Sequence, residues 1–150
     1  MSGVTNRSTF ENHVFYFHPD HLGSSSYVTD ESAGLTEHLE YFASGETWVN
    51  EHPGQSTPVP YQYGGKELDD ETGLYYYYYG ARYYNPRTSR WQSTDPALPK
   101  YLDGEPNNGV YAPVNLALYT YTANNPIKFV DQNGLWGLVG HQHTSARSTC

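Results

Sequence analysis

Apolar and polar positions alternate along this chain in short runs, each closed by turn residues after roughly ten positions, which is the spacing of β-hairpins. The first run, "HVFYFHP", ends at Pro19, and "DHLGSSS" supplies a Gly and Ser turn before "SYVTD" begins a second strand. "ESAGL" turns the chain again, and "TEHLEYFASGE" carries a further strand, with Glu40-Tyr41-Phe42 ahead of its glycine turn. Residues 50–60, "NEHPGQSTPVP", hold three prolines without periodicity and are predicted to be a surface loop between two hairpin groups.

Strands resume with "YQYGGKEL", and "DDETG" makes the next turn, with Gly73 suited to positive φ. The stretch "GLYYYYYGARYYNP" is predicted to leave that turn as one extended strand reaching Asn85-Pro86. Side chains on a strand alternate faces, so Tyr75, Tyr77 and Tyr79 share one face and Tyr76 and Tyr78 the other. "RTSRWQS" reads as a turn or short polar helix, and residues 96–113 read as a loop. Helical potential follows at Asn115 to Thr122, then a turn at Asn124-Asn125-Pro126 and a short strand at Ile127 to Val130.

Composition sharpens this outline. Sixteen of the chain's aromatic residues are tyrosine, against 5 Phe and 3 Trp, so most of its large apolar surface carries a hydroxyl. With 14 Gly and 10 Pro long helices have little room, and the fold class is mainly β, an antiparallel hairpin ribbon with short helical and loop segments toward the C-terminus. The length of 150 residues suits one domain. A formal charge of -8 opposes a phosphate backbone, so nucleic acid is not an expected partner. Cys150 is the single cysteine, which excludes an internal disulfide and a Cys-based zinc cluster. No apolar stretch approaches the roughly 18 residues of a membrane span. The N-terminus lacks the basic start and apolar run of a secretion signal, so secretion would use another route or a signal outside this chain.

Two acidic-turn words, Asp30 to Leu35 and Asp69 to Leu74, repeat one idea. Together with "FYFHPDHLGSSSYVTDESAG", "YGGKELDDETGLYYYYYGARYYNPRTSRWQSTDP" and "NLALYTYTANNPIKFVDQNGL", they make the sequence resemble the RHS/YD-repeat proteins, specifically their repeat-associated core region. The resemblance implies a core at 13–135 between an unpatterned lead-in at 1–12 and a short variable tail at 136–150. It further implies a ribbon that coils, in whole proteins, into a hollow shell around a C-terminal effector of a polymorphic toxin system, secreted or at the cell surface. The partners expected are the upstream repeats and that effector, and self-association is expected through open strand edges. A tail of fifteen residues is too short for a toxin, so the chain is expected to be a truncated product or remnant without one.

The same resemblance implies the one candidate chemistry. In the family, paired Asp-Pro-x-Gly motifs act as an aspartic protease on their own chain with help from an arginine; the matching positions are Asp95, Asp131 and Arg82, with the scissile bond after Leu135. Two carboxylates sharing a proton can pair a base with an acid, and Arg82 would stabilise developing negative charge. Here Leu98 replaces the motif glycine and Gln132 the motif proline. The alternative reading is that Asp95 and Asp131 only cap turns. Other readings are weaker. A tyrosine row also suits sugar stacking in an extracellular carbohydrate-binding or adhesion module, but consecutive rings serve two faces. His18 with His21 and His141 with His143 each lack a third metal ligand, Gly64-Gly65-Lys66 lacks the context of a phosphate loop, and neither a metal nor a cofactor is expected.

Overall fold

The computed structural model describes residues 14–53, 58–105 and 108–135. The lead-in, Trp136, His141 and His143 fall outside them. Two four-stranded antiparallel sheets carry the fold, each in simple sequence order. The first comprises β1 (Tyr16–Pro19), β2 (Ser25–Thr29), β3 (Leu35–Tyr41) and β4 (Thr47–Glu51). Its turns are closed as the sequence expects: Asp20 Oδ1 accepts the Leu22 and Ser24 amides, each at 2.8 Å, and Asp30 Oδ1 accepts the Ser32 and Gly34 amides at 2.9 and 2.7 Å.

The second sheet comprises β5 (Glu67–Asp69), β6 (Tyr76–Tyr78), β7 (Tyr83–Asn85) and β8 (Arg90–Trp91). The tyrosine run is therefore not one strand. The Tyr79 amide donates to the Arg82 carbonyl at 3.0 Å, closing a two-residue turn at Gly80-Ala81, and Gly80 adopts φ +90°. Glycine at the first central position is what a hairpin turn of matching twist requires, and it divides the run into β6 and β7. Tyr75 also leaves the expected alternation, with φ +56° and an exposed ring.

Beyond the turn the side chains sort by register. Leu68, Tyr77, Tyr84 and Trp91 pair across all four strands on the inner face, while Glu67, Tyr78 and Tyr83 pair across three strands on the outer face. The inner row builds the core with Tyr63, Tyr79 and Tyr121, and Tyr41 packs against it. Their rings meet at tilted and edge-on angles, as at Tyr79 and Trp91, 5.1 Å apart and 87° between planes.

The hydroxyls explain why the core is tyrosine rather than phenylalanine. Tyr63, Tyr84 and Tyr77 donate to the consecutive carbonyls of Ala43, Ser44 and Gly45 at 2.9, 2.7 and 3.1 Å. Those carbonyls belong to the turn between β3 and β4, so ring burial and hydroxyl bonding together tie the second sheet to the first. Gly45 is required there: its φ is +90°, and a Cβ would stand 2.5 Å from the Tyr63 ring.

Two expectations for the C-terminal third are corrected. Asn115 to Thr122 is not one helix but a 3-10 turn at Pro113–Leu116, a turn closed by the Thr120 amide on the Ala117 carbonyl at 2.9 Å, and the start of a second 3-10 turn at Thr122–Asn124. There Trp91 donates its amide to the Tyr119 carbonyl and Thr120 bridges Arg90, so pairing with β8 overrides local helix propensity. Ile127 to Val130 is not a strand either, because the Lys128 and Phe129 amides bond back to the Asn125 carbonyl. The predicted loop at 96–113 contains a short helix, α1 (Leu98–Leu102), and a 3-10 turn at Gly109–Tyr111.

Candidate functional site

Arg82 leaves the β6–β7 turn and runs inward beneath the tyrosine core. Its guanidinium carbon lies 4.1 Å from the Trp91 ring centroid, and the residue is 3% exposed. Nε donates to the Gly134 carbonyl at 2.6 Å and Nη1 to the Leu118 carbonyl at 3.3 Å. The remaining nitrogen, Nη2, stands 3.7 Å from Asp95 Oδ2 and 3.7 Å from Asp131 Oδ2. The three residues that the family resemblance singles out thus meet at one buried point.

Each aspartate also caps its own turn. Asp95 Oδ1 accepts the Ala97 amide at 2.8 Å, and Asp131 Oδ1 accepts the Asn133 and Gly134 amides at 3.1 and 2.8 Å. One carboxylate oxygen therefore organises local backbone while the other faces Arg82, so turn capping and convergence coexist. Gly134 makes the close approach possible, because its φ is +71° and a Cβ would come within 3.1 Å of the Arg82 amide nitrogen. Gly134 is the glycine that the second motif keeps; Leu98, where the first motif loses it, lies in α1 instead.

Two participants were not read from the sequence. Tyr101 donates its hydroxyl to Asp95 Oδ2 at 3.3 Å, and burial, reinforced by the Asp95 charge, pushes that phenol up to about 12. Tyr101 sits in the stretch expected to be loop, where no periodicity marks it. Lys66 donates to the Gln132 carbonyl at 2.5 Å and lies 5.1 Å from the Tyr79 ring. Burial lowers the Lys66 pKa, and the charge of Asp131 opposes that fall. Burial likewise lowers Arg82, countered by Asp95 and then Asp131.

The Arg82 guanidinium stands within 3.7 Å of both carboxylates. The backbone carbonyl gripped by Arg82 is that of Gly134, one residue before the bond expected to be cut. Leu135 itself is exposed, with its amide donating to Asn133 Oδ1 at 3.1 Å. The arrangement is thus a clamp: it neutralises charge and ties residues 131–134 to the β6–β7 turn, where the Ala81 amide also donates to the Asn133 carbonyl.

The remaining candidates disperse. His18 Nε2 lies 3.1 Å from Thr29 Oγ1, and His21 donates from Nε2 to the Ile127 carbonyl at 3.2 Å, so the two rings serve separate bonds. Gly64 and Gly65 form a tight turn bonded to Ser24 Oγ.

Residues 8–127 match the family model described as the teneurin YD-shell. Toxin subunit YenC1 of Yersinia entomophaga is 37% identical over 122 residues, a match covering 80% of this chain and 11% of that protein. Toxin protein Tse5 of Pseudomonas aeruginosa is 32% identical over 126 residues, covering 83% of this chain and 8% of the relative. Among solved structures, the crystal structure of TcdB2-TccC3-Cdc42 superposes with a TM-score of 0.67 at 33% identity, over 83% of this chain and 5% of that one. The chain spans about a tenth or less of the length of each.

Proposed function

The chain belongs to the RHS/YD-repeat family as a YD-shell segment, and from that premise we propose that it closes part of a secreted or cell-surface shell around a C-terminal effector. The observation that carries this reading is the Arg82 clamp. It holds the last described residues against the tyrosine core, at the place where the chain would pass from shell to cargo. The exposed strand β1, with Phe17 uncovered on it and Phe15 just before it, supplies an edge on which preceding repeats would continue the ribbon.

A chimera tests the proposal. Residues 13–135 would replace the matching stretch of YenC1, and electron microscopy with limited proteolysis would compare it with the unmodified subunit. A closed particle with a protected C-terminal segment is expected. A soluble but open particle whose C-terminal segment is digested overturns the reading.

Self-cleavage after Leu135 is the second reading, favoured by the meeting of Asp95, Asp131 and Arg82. Water activated by one carboxylate would attack the Leu135 carbonyl, and the other would protonate the leaving amine. For this, a substrate carbonyl must reach the carboxylates past the Arg82–Gly134 bond. Intact mass spectrometry of the purified chain decides it. Loss of the residues after Leu135 in wild type but not in Asp131→Asn supports cleavage, and an unchanged wild-type mass from mildly acidic to neutral pH retires it.

A further inference from the structure

The outer face of the second sheet holds a cleft that the shell reading does not use. Its volume is about 410 Å³, within the usual range for a ligand site, and Glu67, Asp69, Asp70, Glu71, Tyr78 and Tyr83 line it. Glu67, Tyr78 and Tyr83 belong to the outer row, on the face opposite Tyr77, Tyr84 and Trp91, while Leu68 of the inner row borders the cleft at the edge strand β5. Four carboxylates therefore share a small concave surface, and no lysine, arginine or histidine is among the described residues that line it. None of the four enters an ion pair among the described residues.

Two further features give this negative charge a shape. Tyr78 and Tyr83 are register partners whose rings lie 5.1 Å apart, both exposed, forming an aromatic wall beside Glu67. Gln62 also lines the cleft and is 4% exposed. Its Nε2 donates to the Val59 carbonyl at 3.3 Å, while its Oε1 is buried and accepts no hydrogen bond among the described residues. A buried acceptor without a donor is costly, and a donor entering the cleft would relieve it.

We propose that this cleft binds an arginine side chain presented by a basic peptide segment. A guanidinium answers all three features: its charge suits the carboxylates, its plane stacks on the tyrosine rings, and its fork of N–H donors supplies more than one hydrogen bond, for a carboxylate or for the Gln62 acceptor. An ammonium supplies the charge without the plane or the fork. The proposal stands apart from the shell reading, because it concerns a different face and different residues.

The test titrates the full chain with a short uncharged-backbone peptide carrying two arginines, following the tyrosine ring resonances by NMR. Saturable binding is expected, with shifts at Tyr78 and Tyr83, weakening strongly as salt rises from roughly 50 to 500 mM. The paired substitution Glu67→Gln and Asp69→Asn should weaken it about tenfold. Tyr83→Leu should weaken it several-fold, and circular dichroism should report unchanged folding in both variants. The same peptide with lysines should bind less tightly. Absence of saturable binding overturns the proposal, as does equal affinity in the carboxylate variant. Equal or tighter binding of the lysine peptide or of spermine also overturns it, since the site would then read charge alone.

Discussion

The two sheets share a strand count and an order but not a means of stabilisation. The first sheet buries little apolar mass of its own: Val28 and Leu39 are its fully buried hydrophobic residues, and beside them on β3 lies the buried carboxylate of Glu37. The second buries Tyr77, Tyr84 and Trp91 as one row. Its strands are only two or three residues long. Short strands make few ladder bonds, so packing and hydroxyl bonds must hold them. The first sheet borrows that packing through the β3–β4 turn, whose carbonyls receive three tyrosine hydroxyls. Damage to the second sheet should therefore loosen both.

The largest effect is expected at Arg82. Arg82→Met leaves Asp95 and Asp131 buried without their shared cation and should cost about 3–5 kcal/mol. That is a large part of the ~5–15 kcal/mol typical of a domain. Adding Asp131→Asn should recover a portion of the loss. Denaturant unfolding measures both, and an additive double variant would show that the Nη2 contacts contribute little.

Adjacent tyrosines on β7 provide the next contrast. Tyr84 is 0% exposed and Tyr83 41%. Tyr84→Ala should cost ~3–5 kcal/mol through the cavity it leaves, whereas Tyr83→Ala should stay within about 1 kcal/mol. Equal losses at the two positions would mean that the sheet lacks the inner and outer faces described above. Removing only the hydroxyl is gentler: Tyr84→Phe deprives the Ser44 carbonyl of its donor and should cost about 1 kcal/mol. The thermal transition should remain single for this variant, because the ring stays in place.

The contrast also shows where the sequence was readable. Hairpin spacing placed the turns at Asp20 and Asp30, since Asx chemistry is local and visible in a few residues. The division of the tyrosine run was less visible. Seven tyrosines have strong strand propensity, and Gly80-Ala81 looks like an interruption of one strand until the Tyr79–Arg82 bond makes it a turn. Family resemblance identified Asp95, Asp131 and Arg82, and no spacing rule would have brought them together across so much chain. Tyr101, Lys66 and the turn carbonyls that receive the tyrosine hydroxyls are set by tertiary packing alone. The same holds for the pairing that draws Tyr119 and Thr120 onto β8 in place of a helix.

The smallest effect expected is at the first sheet's own weak point, Glu37, and it depends on pH. The residue is 1% exposed; its Oε2 accepts the Val59 amide at 2.9 Å, and its Oε1 faces His52 Nδ1 at 3.8 Å with neither atom hydrogen-bonded among the described residues. Burial raises the Glu37 pKa above its ordinary value, while the Val59 amide and then His52 pull it back. A carboxyl that titrates higher in the folded state binds more protons there than when unfolded. Its contribution to stability is therefore complete below the ordinary carboxylate range and is lost as pH rises through the raised value. Glu37→Gln removes this titration, keeps an acceptor for Val59, and turns an N–H donor toward His52. The variant should match wild type in acid and gain on it toward neutral pH, as thermal unfolding at both ends of that window would show. A wild type that instead outlasts the variant at neutral pH would mean that Glu37 and His52 form a net stabilising ion pair, and that the first sheet, like the second, is held by a charge clamp.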